Sequence, residues 1–182
     1  MAHEPPLFIA RLIGIIDTFS RHTGQLIAWL TFFMVLVTCC VVVMRYGFDK
    51  GSIALQESVT YMHGIVFMLG AAYTFGAQAH VRVDIIYRNF SVQQKAWVNA
   101  VGGIVLALPL AIFMGVSSWE FVKSAWAVNE ISADAGGLPW VYWLKSLIPL
   151  MAITLSLQLL ADVLRNLLVL CIRLPRSMFI PN

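Results

Sequence analysis

Few side chains in this sequence are equipped for chemistry, so the surroundings of each decide what it does. His63 is the only strongly polar titratable side chain deep inside an apolar run. An imidazole there suits a proton relay or a transport pathway, because ionisable groups inside a membrane are costly and demand partners. A haem anchor needs two histidines facing each other from different helices. The second candidate, His80, falls at the far end of the same run, so a shared haem is geometrically poor. A hydrogen bond to a neighbouring helix is the plainer expectation for His63. Cys39 and Cys40 are adjacent and also mid-run. A thiol oxidase needs cysteine pairs near the outer surface, and these have none, so they read as small packing residues. Cys171 completes three cysteines without a CxxC, which indicates neither a disulfide framework nor a zinc site.

The remaining polar groups cluster where apolar runs end. Arg45 closes the first run and Glu57 opens the second, and a short loop joins them. An ion pair between them would clip two helices together. His80, Arg82 and Asp84 form a compact patch at the other end of the second run. In an extended segment all three share a face, and in a helix His80 and Asp84 do. Arg82 and Asp84 are the natural pair. A third cluster lies between Glu120 and Lys145, with Glu130, Asp134, Gly136-Gly137 and Leu138-Pro139-Trp140. Trp119, Trp126, Trp140, Tyr142 and Trp143 surround it as an aromatic belt of the kind found at a membrane surface. No GxSxG, HExxH, P-loop or dinucleotide fingerprint occurs, and no cofactor is called for.

The elements that carry these residues are membrane helices. Of 182 residues, 60% are hydrophobic and 12% charged, against about 45–50% and about 25% in soluble domains. Runs over residues 24–44, 59–79 and 98–119 hold no Asp, Glu, Lys or Arg. Each is long enough to cross about 30 Å of hydrocarbon. A fourth, over about 144–164, is bounded by Lys145, which can reach outward, and by Asp162 and Arg165, expected at the opposite surface. Residues 7–22 differ: Arg11, Asp17, Arg21 and His22 interrupt the apolar pattern. A cleaved signal peptide tolerates such charges poorly, so an amphipathic helix lying in the interface is expected. The fold class is therefore an all-α membrane protein, residues 1–182 as a single membrane domain. It has four transmembrane helices preceded by an N-terminal amphipathic interfacial helix. Ser91 reads as the N-cap of the third span, and Pro109 and Pro149 as kinks in the third and fourth. Eight Lys and Arg residues fall on one side and four on the other, so both termini are expected in the cytoplasm. The basic residues are scattered singly, which argues against nucleic acid as a partner.

Arg45-Tyr46-x-Phe48, Gln56-Glu57, Gly70-Ala71-Ala72-Tyr73 and His80-Val81-Arg82-Val83-Asp84 occur in that order. Leu138-Pro139-Trp140, Lys145, Pro149 and Gln158 follow. The series resembles the small, four-span membrane subunit of tripartite ATP-independent periplasmic (TRAP) transporters over nearly the whole chain. The resemblance implies a bacterial inner-membrane protein that scaffolds a large multi-span subunit carrying the substrate and sodium sites. It also implies a soluble periplasmic binding protein that delivers an organic acid. Under that reading Arg45, Glu57, His80, Arg82, Asp84, Glu130 and Asp134 are candidates for holding the shape or meeting the partners. The residues themselves leave one rival class, a membrane-anchor subunit of a redox complex binding haem or quinone. A stand-alone exporter needs a mid-span carboxylate, and none is present.

Overall fold

The computed structural model describes residues 7–78, 87 and 89–172, and no strand occurs among them. Four helical rods account for nearly all of these residues. The first, α1, is Leu7–Gly47. Nothing in it forbids a helix: there is no proline, and Thr18 and Thr38 each donate to the carbonyl four residues back, at 2.7 Å. The segment 7–22 and the span 24–44, expected as two elements, are thus one helix of 41 residues. At 1.5 Å per residue it is about 60 Å long, roughly twice the hydrocarbon thickness. Gly24, at the expected junction, does not break the helix, because Tyr73 packs directly against it. The buried positions Ile13, Ile16, Ser20, Gly24 and Ile27 form one continuous stripe across that junction, while Phe8, Ile15 and Phe19 are exposed.

The second rod, α2, is Ile53–Gly76. Its N-cap is Ser52, whose hydroxyl accepts from the Leu55 amide at 3.4 Å. The third rod has three parts: α3 (Val92–Gly102), a π-helical turn (Gly103–Ala107) and α4 (Leu108–Ala127). Ser91 caps α3 in a full capping box with Gln94. The π turn has a local cause. Pro109 has no N–H and its ring crowds the carbonyl four residues back. The Leu108 amide reaches Gly103 instead, five residues back, and the rod continues. The fourth rod, α5 (Val141–Ile172), runs on through Pro149. Three rods are long and apolar enough to cross a membrane: Leu7–Gly47, Val92–Ala127 and Val141–Cys171. α2 is not among them.

α5 is the central element and packs on every other rod. Neighbouring residues give the directions. Gly70 sits by Ile27, so α2 runs antiparallel to α1. Gly76 sits by Gln158 and Gly64 by Leu144, so α2 runs parallel to α5. Gly115 sits by Ala152 and Gly103 by Val163, so α4 opposes α5. Small residues fill much of the interior: Ala72, Ala100, Ala111, Ala125, Ala152 and Ala161 are each at most 3% exposed, beside larger Met151, Leu159 and Leu168. Large side chains such as Trp29, Phe67, Phe113 and Val116 point outward. This inversion suits a bundle whose solvent is lipid, where close backbone approach replaces the hydrophobic drive between helices.

Glycine positions separate packing from propensity. A Cβ on Gly103 would lie 2.6 Å from the Val163 side chain, whereas one on Gly14 meets nothing within 4 Å. Val163 is stiff and buried, so it cannot yield. Gly103→Ala should cost about 1–3 kcal/mol through overpacking. Gly14→Ala should stabilise by about 0.5–1 kcal/mol through helix propensity. Thermal unfolding in detergent checks both, and equal midpoints for the two variants contradict this packing.

Candidate functional site

Two polar constellations tie the rods together, one at each end of the bundle. The first joins α1 to α5. Asp162, Arg165 and Asn166 recur at three- and four-residue spacing with Gln158, which places all four on one face of α5. Asp17 and Ser20 share the opposing face of α1. Arg165 Nη2 donates to Asp17 Oδ2 at 2.7 Å, and its Nη1 donates to Asp162 Oδ1 at 3.3 Å. Gln158 Nε2 donates to the other oxygen of Asp17 at 2.8 Å, and Gln158 Oε1 accepts from Ser20 Oγ at 2.6 Å. Asn166 Nδ2 donates to the carbonyl and carboxylate of Asp162. Gln158 and Asn166 are 0% exposed and Arg165 3%. Among the described residues, Arg165 Nε and Asn166 Oδ1 find no partner.

This corrects the expectation that Asp162 and Arg165 sit at the water surface. α5 continues to Ile172 and the first half of α1 lies along it, so Ile13 and Ile16 pack with Ala161 and Leu168 and seal the charges in. Asp17 was read from sequence only as a break in the apolar pattern, and Ser20 and Asn166 were not singled out. The signal was present: opposite charges at Asp17 and Arg165, each on a helical stripe with an uncharged polar neighbour.

The second constellation lies at the other end. Glu57, in the first turns of α2 and ahead of the apolar run 59–79, accepts through Oε1 from the Ser132 hydroxyl. Through Oε2 it accepts from the Leu138 amide at 2.5 Å. Those two donors, the hydroxyl first, hold its carboxyl below the ordinary carboxylate range. The receiving loop is closed on itself: the Ser132 amide donates to the Leu138 carbonyl at 3.1 Å, and the Asp134 amide to Ser132 Oγ at 3.1 Å. Gly136 turns it with φ +84°. Beside it Lys145 donates to Glu130 at 2.5 and 2.7 Å and lies 4.0 Å above the Phe121 ring. Trp126 Nε1 donates to Ser146 Oγ at 2.8 Å and packs edge-on against Tyr142 and Trp143.

The structure therefore does not pair Arg45 with Glu57. Arg45, in the last turn of α1, has an exposed side chain and forms no ion pair among the described residues. Glu57 is taken by a loop 75 positions away instead. Glu130 is engaged by Lys145, and Asp134 is exposed at the loop tip. His80, Arg82 and Asp84 lie outside the described residues. His63 is exposed on α2 and stacks on Phe67, with ring centroids 6.2 Å apart. The one serine–carboxylate contact in the two constellations, Ser132 to Glu57, closes a loop onto α2. What they do is fix how α1, α2 and α5 sit against one another.

Residues 34–169, most of the chain, match the family model for tripartite ATP-independent periplasmic transporters, DctQ component. No curated protein and no solved structure matches the chain.

The two kinds of ion pair should differ sharply when broken. Asp17→Ala leaves a buried guanidinium without its main partner, a loss of about 3–5 kcal/mol. Glu120→Ala breaks the solvated Glu120–Lys123 contact, whose side chains are 80% and 67% exposed, and should cost less than about 1 kcal/mol. Unfolding of the purified variants in detergent measures the contrast. Losses of similar size would mean the Asp17–Arg165 contact is no more than a surface pair.

Proposed function

Because the chain belongs to the DctQ component family of tripartite ATP-independent periplasmic transporters, we propose that it is the small permease subunit of an ion-gradient-driven secondary transporter for organic acids. In this reading it scaffolds the large multi-span subunit, and its loop around residues 128–140 helps dock the periplasmic binding protein. The family match over residues 34–169 carries the proposal. Physical support comes from what the polar groups are used for. Glu57, Glu130, Asp17 and Arg165 are all consumed in holding helices and loops in place. Stand-alone transporters with inverted repeats place paired broken helices around a midplane site. Here the one π interruption, at Gly103–Ala107, has no counterpart among the described residues.

The candidate residues then take two roles. Glu57 and Glu130 hold the loop in shape from within. Arg45 and Asp134 are exposed and free to meet a partner. His80, Arg82 and Asp84 would serve the same purpose at the opposite end. The eight-to-four distribution of Lys and Arg puts both termini in the cytoplasm of a bacterial inner membrane. α2 is the fourth span, its polar groups tolerated because partners cover them.

Two experiments check this. Proteoliposomes with the chain alone should take up no labelled organic acid under a sodium gradient. Adding the large subunit and binding protein should start uptake, and omitting the chain should stop it. Uptake by the chain alone, or unchanged uptake without it, contradicts the proposal. Reporter fusions at the C-terminus and after Lys50 should read cytoplasmic and periplasmic respectively, and the reverse overturns the topology.

A further inference from the structure

One outward stripe of α2 carries polar side chains where lipid would be its solvent. Gln56, Thr60, His63 and Phe67 follow one another at three- and four-residue spacing, and all four are exposed. They form one stripe on the side turned away from the bundle, since the next residue, Gly64, faces Leu144 of α5. His63 is ten residues from one end of α2 and thirteen from the other, which puts it about 15–20 Å along the axis from each. Neither Thr60 nor His63 forms a side-chain hydrogen bond among the described residues. Thr38, across the groove, is satisfied by its own helix.

Three facts converge on this stripe. First, a groove of about 520 Å³ runs between α1 and α2, lined by Thr31, Met34, Thr38, Cys39, Thr60 and His63. Second, α2 is long enough at 24 residues to cross a membrane, yet alone among the rods its polar residues keep it out of the strongly apolar set. Third, an ionisable side chain at membrane depth is almost always turned to other protein, which supplies its hydrogen bond. Acyl chains cannot do so. The outward faces of α1 and α4 show the contrast, presenting Phe33, Leu36, Phe113 and Val116.

We infer that the α1–α2 groove centred on His63 is the docking face for a membrane helix of the large subunit, which presents a hydrogen-bonding group to the imidazole. Small polar side chains or a carbonyl freed by a helix break both supply that chemistry. This deepens the reading of the chain as a small permease subunit and rests on it. The occupant follows from chemistry: it must be a helix, because the groove lies within the membrane, and it must carry a polar group opposite His63. A homodimer, in which two neutral imidazoles pair donor to acceptor, is told apart by the identity of the crosslinked product.

Photo-crosslinking in the intact transporter tests the assignment. A photoreactive phenylalanine analogue replaces Phe67 on the stripe, or Phe113 on α4, both 66% exposed. With the large subunit co-expressed, position 67 should yield an adduct of the two subunits and position 113 should not. His63→Leu should diminish the adduct at 67, and His63→Gln should restore it. If the wild-type chain co-purifies with the large subunit but position 67 gives only lipid adducts or a dimer of this chain, the docking face is wrong and the subunit reading stands. If the wild-type chain never retains a large subunit, both fall.

Discussion

Arg165 carries a full charge in a place that offers it almost no water. Moving such an ion out of water costs several kcal/mol even after relaxation, and only close partners offset that. Asp17 and Asp162 supply the countercharge, and Gln158 and Ser20 supply the remaining hydrogen bonds of Asp17. The arrangement tolerates little sliding. One helical turn of shift between α1 and α5 would move Asp17 by about 5.4 Å, stranding two opposite charges inside protein. α2 is drawn in as well, because the side chain of Gln158 lies over Gly76, leaving no room for a Cβ there. One ion pair and its neighbours therefore set the register of three helices.

Elsewhere the bundle has weaker means of choosing its shape. Between the two ends the contacts are Ala and Gly against apolar side chains, and in lipid these gain only dispersion and close fit. Specificity comes from the ends: the Asp17–Arg165 network at one, the Glu57 clasp and the Lys145–Glu130 pair at the other. A subunit with both ends pinned and a plain middle presents a fixed surface to a larger protein. That is the job expected of a scaffold in a multi-component transporter.

The apolar runs, the Ser91 cap and the turns were legible in the sequence because each depends on neighbours a few residues apart. The partners of the charges were not. Arg45 and Glu57 are close in sequence, and that closeness misled: a rigid loop far along the chain brings a hydroxyl and an amide that suit a carboxylate better. Asp162 and Arg165 looked like the end of a span because hydropathy scores a charge as surface. Their burial depends on the first turns of α1 lying alongside, a contact between residues almost 150 positions apart. The unbroken course of α1 was hidden for a related reason, since Gly24 reads as a junction until Tyr73 is seen against it. The π turn ahead of Pro109 is where the distortion expected from that proline falls, and it too is local chemistry.

The central claim is that the contact between Asp17 and Arg165 specifies the shape a partner recognises. A double-mutant cycle in the assembled transporter measures it directly, with Asp17→Ala, Arg165→Ala and the double variant compared for stability and for retention of the large subunit. The account predicts strong coupling, on the order of 1–3 kcal/mol, because either single change already strands the other charge. Retention should fall in both singles and fall little further in the double. Additive losses, with the large subunit retained in every variant, would show that the buried pair is incidental to the fold and to the assembly.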